Sequence, residues 1–348
     1  MKRPIVAGGA LALGAAITFG VTTPLVQRFG RGLGAFTTAA LLYAGSALFA
    51  VVTRRGGESP LRRSDAPRLL VVALMGAVFA PIALAWGLQR TSGVSASLLL
   101  NLEALFTVVL ARALWDEPIS GRVAGALVAT LLGGVVLVLD GRSASAQAGW
   151  GAFAVVAATL AWAADGVVGR PLSERDPSQV VLAKGLLGAT LSLGLARAAG
   201  EAWAATTSAL ALVACGAVGY GASLRLYLMA QRAIGAARTG TIFAAAPFLG
   251  AAVAWAMGER AGGPATVAAA ALCALGVGLQ LTESHAHAHI HEPLEHEHVH
   301  GHDDGHHDHV HDPPVTGAHA HAHAHSHGRV THAHAHGEDV HHRHQHRD

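Results

Sequence analysis

Residues 69–88 read "LLVVALMGAVFAPIALAWGL", twenty residues without a charged side chain. A helix of about 20 residues, rising about 1.5 Å per residue, matches the thickness of the hydrocarbon core of a bilayer. A helix on the surface of a soluble protein would need a polar face toward water, and this stretch has none. The stretch therefore predicts a helix that spans a membrane.

Similar apolar runs recur along the chain as far as Thr282, and the charged residues are bunched between them. The first run is long for a cleaved signal peptide, so we interpret it as a retained span. We therefore predict an all-α membrane protein with ten transmembrane helices. The predicted spans are residues 4–26, 33–53, 68–89, 93–114, 121–140, 149–168, 180–199, 207–230, 236–257 and 263–282.

The ten predicted spans divide into two copies of one unit. A shift of 142 residues superposes the halves, so we divide the membrane part into residues 1–142 and 143–284. Each half holds five spans, and an odd number forces the second half to enter the membrane from the opposite side. Two inverted five-helix repeats are typical of transporters. The matched positions include Gln89-Arg90 with Gln231-Arg232, Phe106 with Phe248, and Glu117 with Glu259; these two glutamates lie at helix ends, where we expect structural roles.

The end of each half carries a family pattern. Residues 101–139, "NLEALFTVVLARALWDEPISGRVAGALVATLLGGVVLVL", are followed by a second copy at residues 244–281. This pattern resembles the EamA-type drug/metabolite transporter superfamily. The resemblance implies a ten-helix bundle, cytoplasmic termini, and export of small metabolites or amphiphilic compounds. Ala104 stands where a proline is frequent, whereas the second copy keeps Pro247, so we expect the fourth span to be less kinked.

The distribution of basic residues predicts the orientation. With the N-terminus inside, 14 basic residues fall in cytoplasmic segments and 6 in outer ones. Basic residues favour the cytoplasmic side, and the loop "TRRGGESPLRRSDAPR" at residues 53–68 carries much of the bias. We therefore predict a multi-pass protein of a bacterial-type inner (plasma) membrane with both termini in the cytoplasm.

Glu103 is the foremost candidate for a substrate-binding residue, with Asn101 beside it. Both lie about half-way along the fourth predicted span. Charged groups at that depth are costly and mark functional sites. Glu103 could carry a proton, bind a cationic group of a substrate, or join helices through a hydrogen bond.

Asp165 and Arg225 lie at similar predicted depth near the cytoplasmic ends of their spans. They could form an ion pair within the membrane, or each could reach the interface alone. Several aromatic residues could stack on a flat or cationic solute, or simply pack between helices. These candidates are Trp86, Trp162, Tyr220, Tyr227 and Trp255.

Residues 285–348 form a chemically different segment. All 24 histidines lie here, and the segment has 3 basic and 10 acidic residues, against 21 and 12 in the rest of the chain. With few large apolar residues it cannot bury a core, so we predict a disordered tail. Closely spaced imidazoles and carboxylates could bind Zn, Ni, Co or Cu with low specificity. The predicted ligands are His296, His298, His300, His302, Asp303, Asp304, His306, His307, His309 and His311.

Three functions remain open from the sequence. The first is export of a small organic metabolite or drug-like solute by alternating access. The second is transport of divalent transition metals, with the tail as collector or sensor, although the membrane part offers few ligands. The third is a membrane-anchored metal buffer. No nucleophile–base pair or phosphate loop indicates an enzyme, no basic patch indicates nucleic acid, and no cofactor is required. The partners that we expect are the solute and the bilayer, and a homodimer is compatible with the sequence.

Overall fold

The computed structural model describes residues 2–54, 58–115, 119–234, 236–259 and 263–281 of the membrane part, and residues 286–291, 294–300, 321–327 and 330–335 of the tail. In these residues, nine helical stretches are long and apolar enough to cross a membrane, and Pro264–Leu279 is a shorter tenth. The predicted all-α membrane fold with ten spans is confirmed.

The first half of the chain forms spans 1 to 5. Span 3 consists of two α-helices joined by a π-helical segment, and span 4 consists of two α-helices with a short break between them. The helices are α1 (Lys2–Phe29) in span 1, α2 (Ala35–Thr53) in span 2, α3 (Ala66–Ala73) and α4 (Ala80–Leu88) in span 3, α5 (Gly93–Leu99) and α6 (Leu102–Trp115) in span 4, and α7 (Gly121–Ala144) in span 5.

The second half repeats this arrangement as spans 6 to 10. A turn of 3₁₀-helix, Arg170–Glu174, follows span 6. The helices are α8 (Ala146–Gly169) in span 6, α9 (Pro177–Ala198) in span 7, α10 (Thr206–Cys215) and α11 (Ser223–Ile234) in span 8, α12 (Ala236–Phe243) and α13 (Ala246–Ala256) in span 9, and α14 (Pro264–Leu281) in span 10.

The two halves interleave. Span 1 packs on spans 8 and 9, and span 6, its counterpart, packs on spans 3 and 4. Spans 2 and 7 pack on each other, as do spans 4 and 9 and spans 5 and 10. Exchanging the halves maps each of these contacts onto itself or onto its partner, as expected for an inverted repeat. The centre of the bundle is therefore lined by both halves.

Small residues allow the central spans to approach closely. A Cβ atom at Gly45 in span 2 would overlap the backbone of span 8 at Val213, and one at Gly216 in span 8 would overlap the backbone of span 2 at Leu42. Glycine at helix contacts is a common means of packing helices within a membrane, where backbones must meet without bulky side chains. These contacts fix the position of span 8, which carries several residues of the site described below.

Both halves depart from regular helix at corresponding places. The π-helical segments Leu74–Phe79 in span 3 and Gly216–Ala222 in span 8 begin 142 residues apart, which is the length of the repeat. A π-turn interrupts the regular hydrogen-bond ladder and is frequent at functional sites. The irregular segments thus mark the same level of the bundle in both halves.

Spans 4 and 9 are also both broken near their middles. The break in span 4 falls at Leu100 and Asn101, so this span is interrupted although Ala104 stands where a proline is frequent. The Asn101 side chain donates to the carbonyl of Leu98 at 3.0 Å and so competes with the helix for a backbone acceptor. The break in span 9 lies just before Pro247.

The tail contains short strands where the structure describes it. Strand β1 (Ala286–His291) pairs with β4 (Val330–Ala335), and β2 (Leu294–His300) pairs with β3 (His321–His327), both antiparallel. Alternating His and apolar residues in the tail have the period of a strand. A two-stranded ribbon is at best marginally stable in water.

Candidate functional site

A cavity of about 140 Å³ lies between the two halves of the bundle. Side chains from spans 1, 2, 4, 6, 7, 8 and 9 line its centre, and the lining continues through Val72, Arg170 and Gln231. These three residues lie toward the end of the bundle where residues 54–65 and 170–176 connect the spans, which we call the basic end. One buried water needs only about 10–15 Å³ measured in this way. The cavity therefore has room for a small solute.

One wall of the cavity is a connected cluster of aromatic rings. The ring centre of Phe19 lies 5.7 Å from that of Trp162, 5.9 Å from that of Tyr220 and 5.6 Å from that of Phe243. The ring of Tyr227 continues the cluster, 5.1 Å from Phe243. Such faces attract flat apolar groups and cations. The structure thus places the predicted aromatics Trp162, Tyr220 and Tyr227 together in one site.

A buried ion pair also forms part of the lining. Lys184 Nζ in span 7 lies 2.7 Å from Oδ1 and 2.6 Å from Oδ2 of Asp165 in span 6. The two side chains are 6% and 14% exposed. Opposite charges at this distance offset part of each other's desolvation. The pair therefore contributes polar groups to the cavity with little net charge.

The predicted ion pair between Asp165 and Arg225 is wrong. Arg225 instead donates from Nη1 to the carbonyl of Thr53 at 2.8 Å, at the end of span 2. Lys184 of span 7 takes the place of Arg225, because its ammonium group binds the same carboxylate. Lys184 is one of the 14 basic residues that the predicted orientation places in cytoplasmic segments, although it is buried within the bundle.

Glu103 lines the cavity from the first turn of α6, directly after the break in span 4. Among the residues described, no ion pair involves Glu103. The end of a helix that begins inside the bundle favours a carboxylate through the helix dipole. Asn101 is buried behind the lining, with its side-chain amide bonded to Leu98. Of this predicted pair, only Glu103 reaches the cavity.

The carbonyl of Gly76 organises two of the ring residues. It lies in the π-helical segment of span 3 and accepts hydrogen bonds from the hydroxyl of Tyr43 and from Nε1 of Trp162, the latter at 3.0 Å. A Cβ atom at position 76 would overlap the carboxylate of Asp165. Gly76 therefore holds Tyr43, Trp162 and the Asp165–Lys184 pair in one compact group.

Two predicted aromatics lie away from the cavity. Trp86 is 36% exposed, and the guanidinium of Arg90 lies 3.7 Å from its ring centre. Trp255 is 58% exposed. Both side chains face outward from the bundle, as aromatic residues at a membrane interface do. Arg225 also contributes no part of the lining.

Sequence reasoning missed several lining residues. Lys184 carried a usable signal, because a lysine inside an apolar span is rare and usually functional. The rings of Phe19 and Phe243 had no such signal, since phenylalanine is ordinary in a span. Tyr43 stands within the predicted span 33–53, but only the folded bundle directs it at Gly76.

At the basic end, carboxylates of the first half bind arginines of the second. Asp65 Oδ2 lies 2.8 Å from Nε of Arg175, and Glu58 pairs with Nη1 of Arg232 at 2.5 Å. Arg232 also donates from Nε to the carbonyl of Ser173 at 2.6 Å. These bonds tie the halves together beside the cavity.

At the opposite end, carboxylates of the second half bind the starts of helices of the first. Glu201 accepts from the backbone N–H of Thr37 at 2.7 Å and from its hydroxyl at 2.8 Å. Glu259 accepts from the N–H of Gly93 at 2.7 Å and lies 3.6 Å from Arg31. Glu259 thus contacts the start of a helix, as a structural role would require, and Glu117 lies outside the described residues.

We searched the described residues of the membrane part for a metal centre. Where the structure describes side chains, no group of three or more His, Cys, Asp or Glu residues comes together. Of the predicted tail ligands, His296, His298 and His300 lie in strand β2. The other predicted tail ligands lie outside the described residues.

The fold and the central cavity define a class of protein, a membrane transporter built as an inverted repeat. Residues 6–139 and 149–282 each match the EamA-like transporter family, and the chain belongs to that family. It is a transporter and not an enzyme.

Two further similarities agree with this assignment. An "Uncharacterized transporter" of Methanothermobacter thermautotrophicus is 34% identical over 128 residues, which cover 36% of this chain and 37% of that protein. The match therefore spans little more than a third of the relative's length. A solved crystal structure has a TM-score of 0.58 at 19% identity, covering 80% of this chain and 95% of that one. That likeness shows the fold alone.

Proposed function

We propose that the protein exports a small organic solute through the central cavity by alternating access, with Glu103 as the charged contact. The proposal depends chiefly on one observation. The cavity between the halves is walled by aromatic rings and contains a carboxylate without an ion-pair partner in the described residues. Rings attract cations over their faces, and Glu103 supplies the opposite charge, so an organic cation suits the site best.

The other groups of the cavity fit the same class of solute. The Asp165–Lys184 pair neutralises itself, which leaves Glu103 to set the charge of the bound molecule. Ring pairs such as Phe19 and Phe243 provide apolar surface for its body. The cavity is built from one chain, so the proposed cycle needs no second copy.

Alternating access is supported by the bonds at the two ends of the bundle. At each end, carboxylates of one half bind groups of the other half. These carboxylates are Asp65 and Glu58 at the basic end and Glu201 and Glu259 at the opposite end. Opening either end requires only that its own bonds break while the other set remains. We place the basic end and both termini in the cytoplasm of a bacterial-type inner membrane, as the charge bias predicts.

Transport of a divalent metal is less well supported. Permeating metal ions need several ligands that converge, whereas the lining offers Glu103 and an Asp165 already bound by Lys184. No histidine or cysteine is among the lining residues found in the described part of the chain. If the protein were only a metal buffer, with the membrane part as an anchor for the tail, the central cavity would have no explanation.

The test uses the full-length protein in proteoliposomes and a set of flat organic cations, beginning with ethidium, each paired with a neutral analogue. We expect saturable uptake of at least one cation, lost in Glu103→Gln and retained in Asp140→Asn, a carboxylate-to-amide change at the far end of span 5. Flux of Zn, Ni or Co through a version ending at Ser284, abolished by Glu103→Gln, would favour metal transport instead. If Glu103→Gln abolished the uptake of cations and of neutral analogues equally, Glu103 would act only as a proton carrier.

A further inference from the structure

We propose that Gly166 determines the size of the solute that the cavity accepts, because its missing side chain leaves the space in which the body of the solute lies. The inference rests on the proposed function and names a specificity-determining residue of the same cavity. Gly166 lies in span 6, directly after Asp165, and belongs to the lining. A glycine within a helix needs an explanation, because glycine is disfavoured there relative to alanine.

Three glycines line the cavity where the structure describes it, and close packing explains two of them. A Cβ atom at Gly219 in span 8 would overlap the hydroxyl of Thr22 in span 1. A Cβ atom at Gly169 would lie 3.4 Å from the side chain of Val72 in span 3, so a larger side chain would press on it. A Cβ atom at Gly166, in contrast, would meet no described atom within 4 Å. Packing therefore gives no reason for glycine at position 166.

The empty space beside Gly166 belongs to the cavity and not to the outer surface of the bundle. Residues three and four apart share one face of a helix, and both Gly169 and Trp162, at these spacings from Gly166, line the cavity. Leu160 marks the outward side of span 6, since it is 43% exposed. It stands about 120° around the helix from Gly166, at about 3.6 residues per turn. The exposed surface of Gly166 thus faces the cavity.

The place of Gly166 in the lining suits the body of an organic cation. Trp162 stands one helical turn before it and belongs to the ring cluster, and the Asp165–Lys184 pair lies beside it. A flat solute that stacks on the ring of Trp162 would extend along span 6 over Gly166. The cavity measures only about 140 Å³, so a leucine side chain at position 166 would fill a large part of the space that the solute needs.

The first test asks whether the space at Gly166 is part of the cavity. Gly166→Cys is made in the full-length protein without its native cysteines, and a small, positively charged methanethiosulfonate reagent is added to both sides of proteoliposomes. Leu160→Cys is the matched control on the outward side of the same span. We expect Gly166→Cys to react and Leu160→Cys to stay unlabelled, because a charged reagent does not enter hydrocarbon. Equal reaction at the two positions would overturn the inference.

The second test measures solute size in proteoliposomes. Uptake of ethidium, a large flat cation, is compared with uptake of tetramethylammonium, a small one, in the wild type, Gly166→Ala and Gly166→Leu. Gly194→Leu is the control, because a Cβ atom at Gly194 of span 7 would also meet nothing within 4 Å, and Gly194 is not among the described lining residues.

We expect Gly166→Leu to lower ethidium uptake relative to tetramethylammonium uptake by about tenfold, mainly through a higher KM, as in an overpacked site. Gly166→Ala should have an intermediate effect, and Gly194→Leu should transport both cations as the wild type does. Thermal unfolding in detergent should be the same in all four proteins, and Gly166→Ala carries the comparison if Gly166→Leu does not fold.

Two outcomes separate this inference from the proposed function. If the Gly166 variants lose both cations in equal proportion, or lose neither, the inference is overturned and the proposed function stands. If the wild type takes up neither cation, the proposed function fails instead, and the labelling of Gly166→Cys still decides whether the position faces the cavity.

Discussion

Lys184 and Asp165 join spans 7 and 6 within the wall of the cavity, and Gly76 of span 3 packs directly against the same carboxylate. Three spans from both halves therefore meet at one ion pair. When the two halves move against each other, the contacts among Lys184, Asp165 and Gly76 must either be kept or be broken. The pair is thus a structural anchor as well as part of the lining.

Removing one partner of this pair should destabilise the protein strongly. Lys184→Met leaves the Asp165 carboxylate buried and uncompensated, and Asp165→Asn does the same to Lys184. Breaking a buried pair in this way typically costs about 3–5 kcal/mol. The double variant removes both charges, so we expect it to recover most of the loss. Thermal unfolding of the four proteins in detergent, analysed as a double-mutant cycle, measures the coupling.

Arg225→Met serves as the control for the pair. It removes a hydrogen bond to the carbonyl of Thr53 but leaves Asp165 and Lys184 together. Its effect should be smaller than that of either single change and should add to that of Lys184→Met. A double variant of Asp165 and Lys184 that unfolds as easily as the singles would show that the pair does not stabilise the fold.

The sequence predicted the architecture because the signals were repeated. Uncharged runs of membrane length, the shift of 142 and the basic loop at residues 53–68 recur or agree with one another. The partner of Asp165 could not be predicted in the same way. Arg225 and Lys184 were both basic residues near it in predicted depth, and only the folded bundle brings Lys184 of span 7 to the carboxylate. Depth along a span is readable from sequence, whereas rotation about its axis is much less so.

Only some of the residues that line the cavity were predicted, because the rotation of each span about its axis was not known from the sequence. Trp86 and Trp162 were equivalent in the sequence, yet Trp162 donates to Gly76 inside the bundle and Trp86 faces outward under Arg90. Glu103 was found because a carboxylate within a span needs an explanation wherever it faces. The rings of Phe19 and Phe243 gave no signal, because apolar residues suit lipid and cavity alike.

Gly76→Ala should disturb the site through shape alone. The added methyl group would overlap the Asp165 carboxylate and press on the segment that accepts from Tyr43 and Trp162. Overpacking of this kind costs about 1–3 kcal/mol. We expect a lower midpoint of thermal unfolding and a loss of solute uptake, measured on the same preparations.

Gly194→Ala is the matched change. Gly194 lies within α9, and a Cβ atom there would meet nothing within 4 Å. Alanine is favoured over glycine in a helix by up to about 1 kcal/mol, so this variant should unfold at the same temperature or slightly higher. If both glycine changes have the same effect, close approach at Gly76 is not the cause.

The carboxylate of Glu201 should keep the end opposite the basic end closed. It binds the start of span 2 through the N–H and hydroxyl groups of Thr37. Glu201→Gln removes the charge, and hydrogen bonds to charged groups contribute about 1.5–3 kcal/mol. We expect easier opening at that end, seen as faster labelling of Ser223→Cys in the cavity by a membrane-impermeant thiol reagent added from that side. The native cysteines Cys215 and Cys273 are first replaced by alanine.

Asp65→Asn tests the closure of the basic end in the same labelling experiment. It weakens the contact with Arg175 at the basic end, so labelling of Ser223→Cys should rise from that side instead. Identical labelling changes in the two variants, or none from either side, would argue against carboxylates as end closures. Unchanged unfolding temperatures would show that the labelling reports opening and not loss of fold.

We predict the orientation of the bundle from where its arginines lie. Arg62 and Arg63 precede span 3 at the basic end, and basic residues are retained on the cytoplasmic side during insertion. Single cysteines at two exposed positions, Ser64→Cys at the basic end and Ala205→Cys at the opposite end, test this in the same background without native cysteines. Ala205→Cys should react with an impermeant maleimide in intact cells, and Ser64→Cys only after lysis. The reverse labelling pattern would mean that the protein has the opposite orientation, so that the proposed export would become uptake and the histidine tail would lie outside the cell.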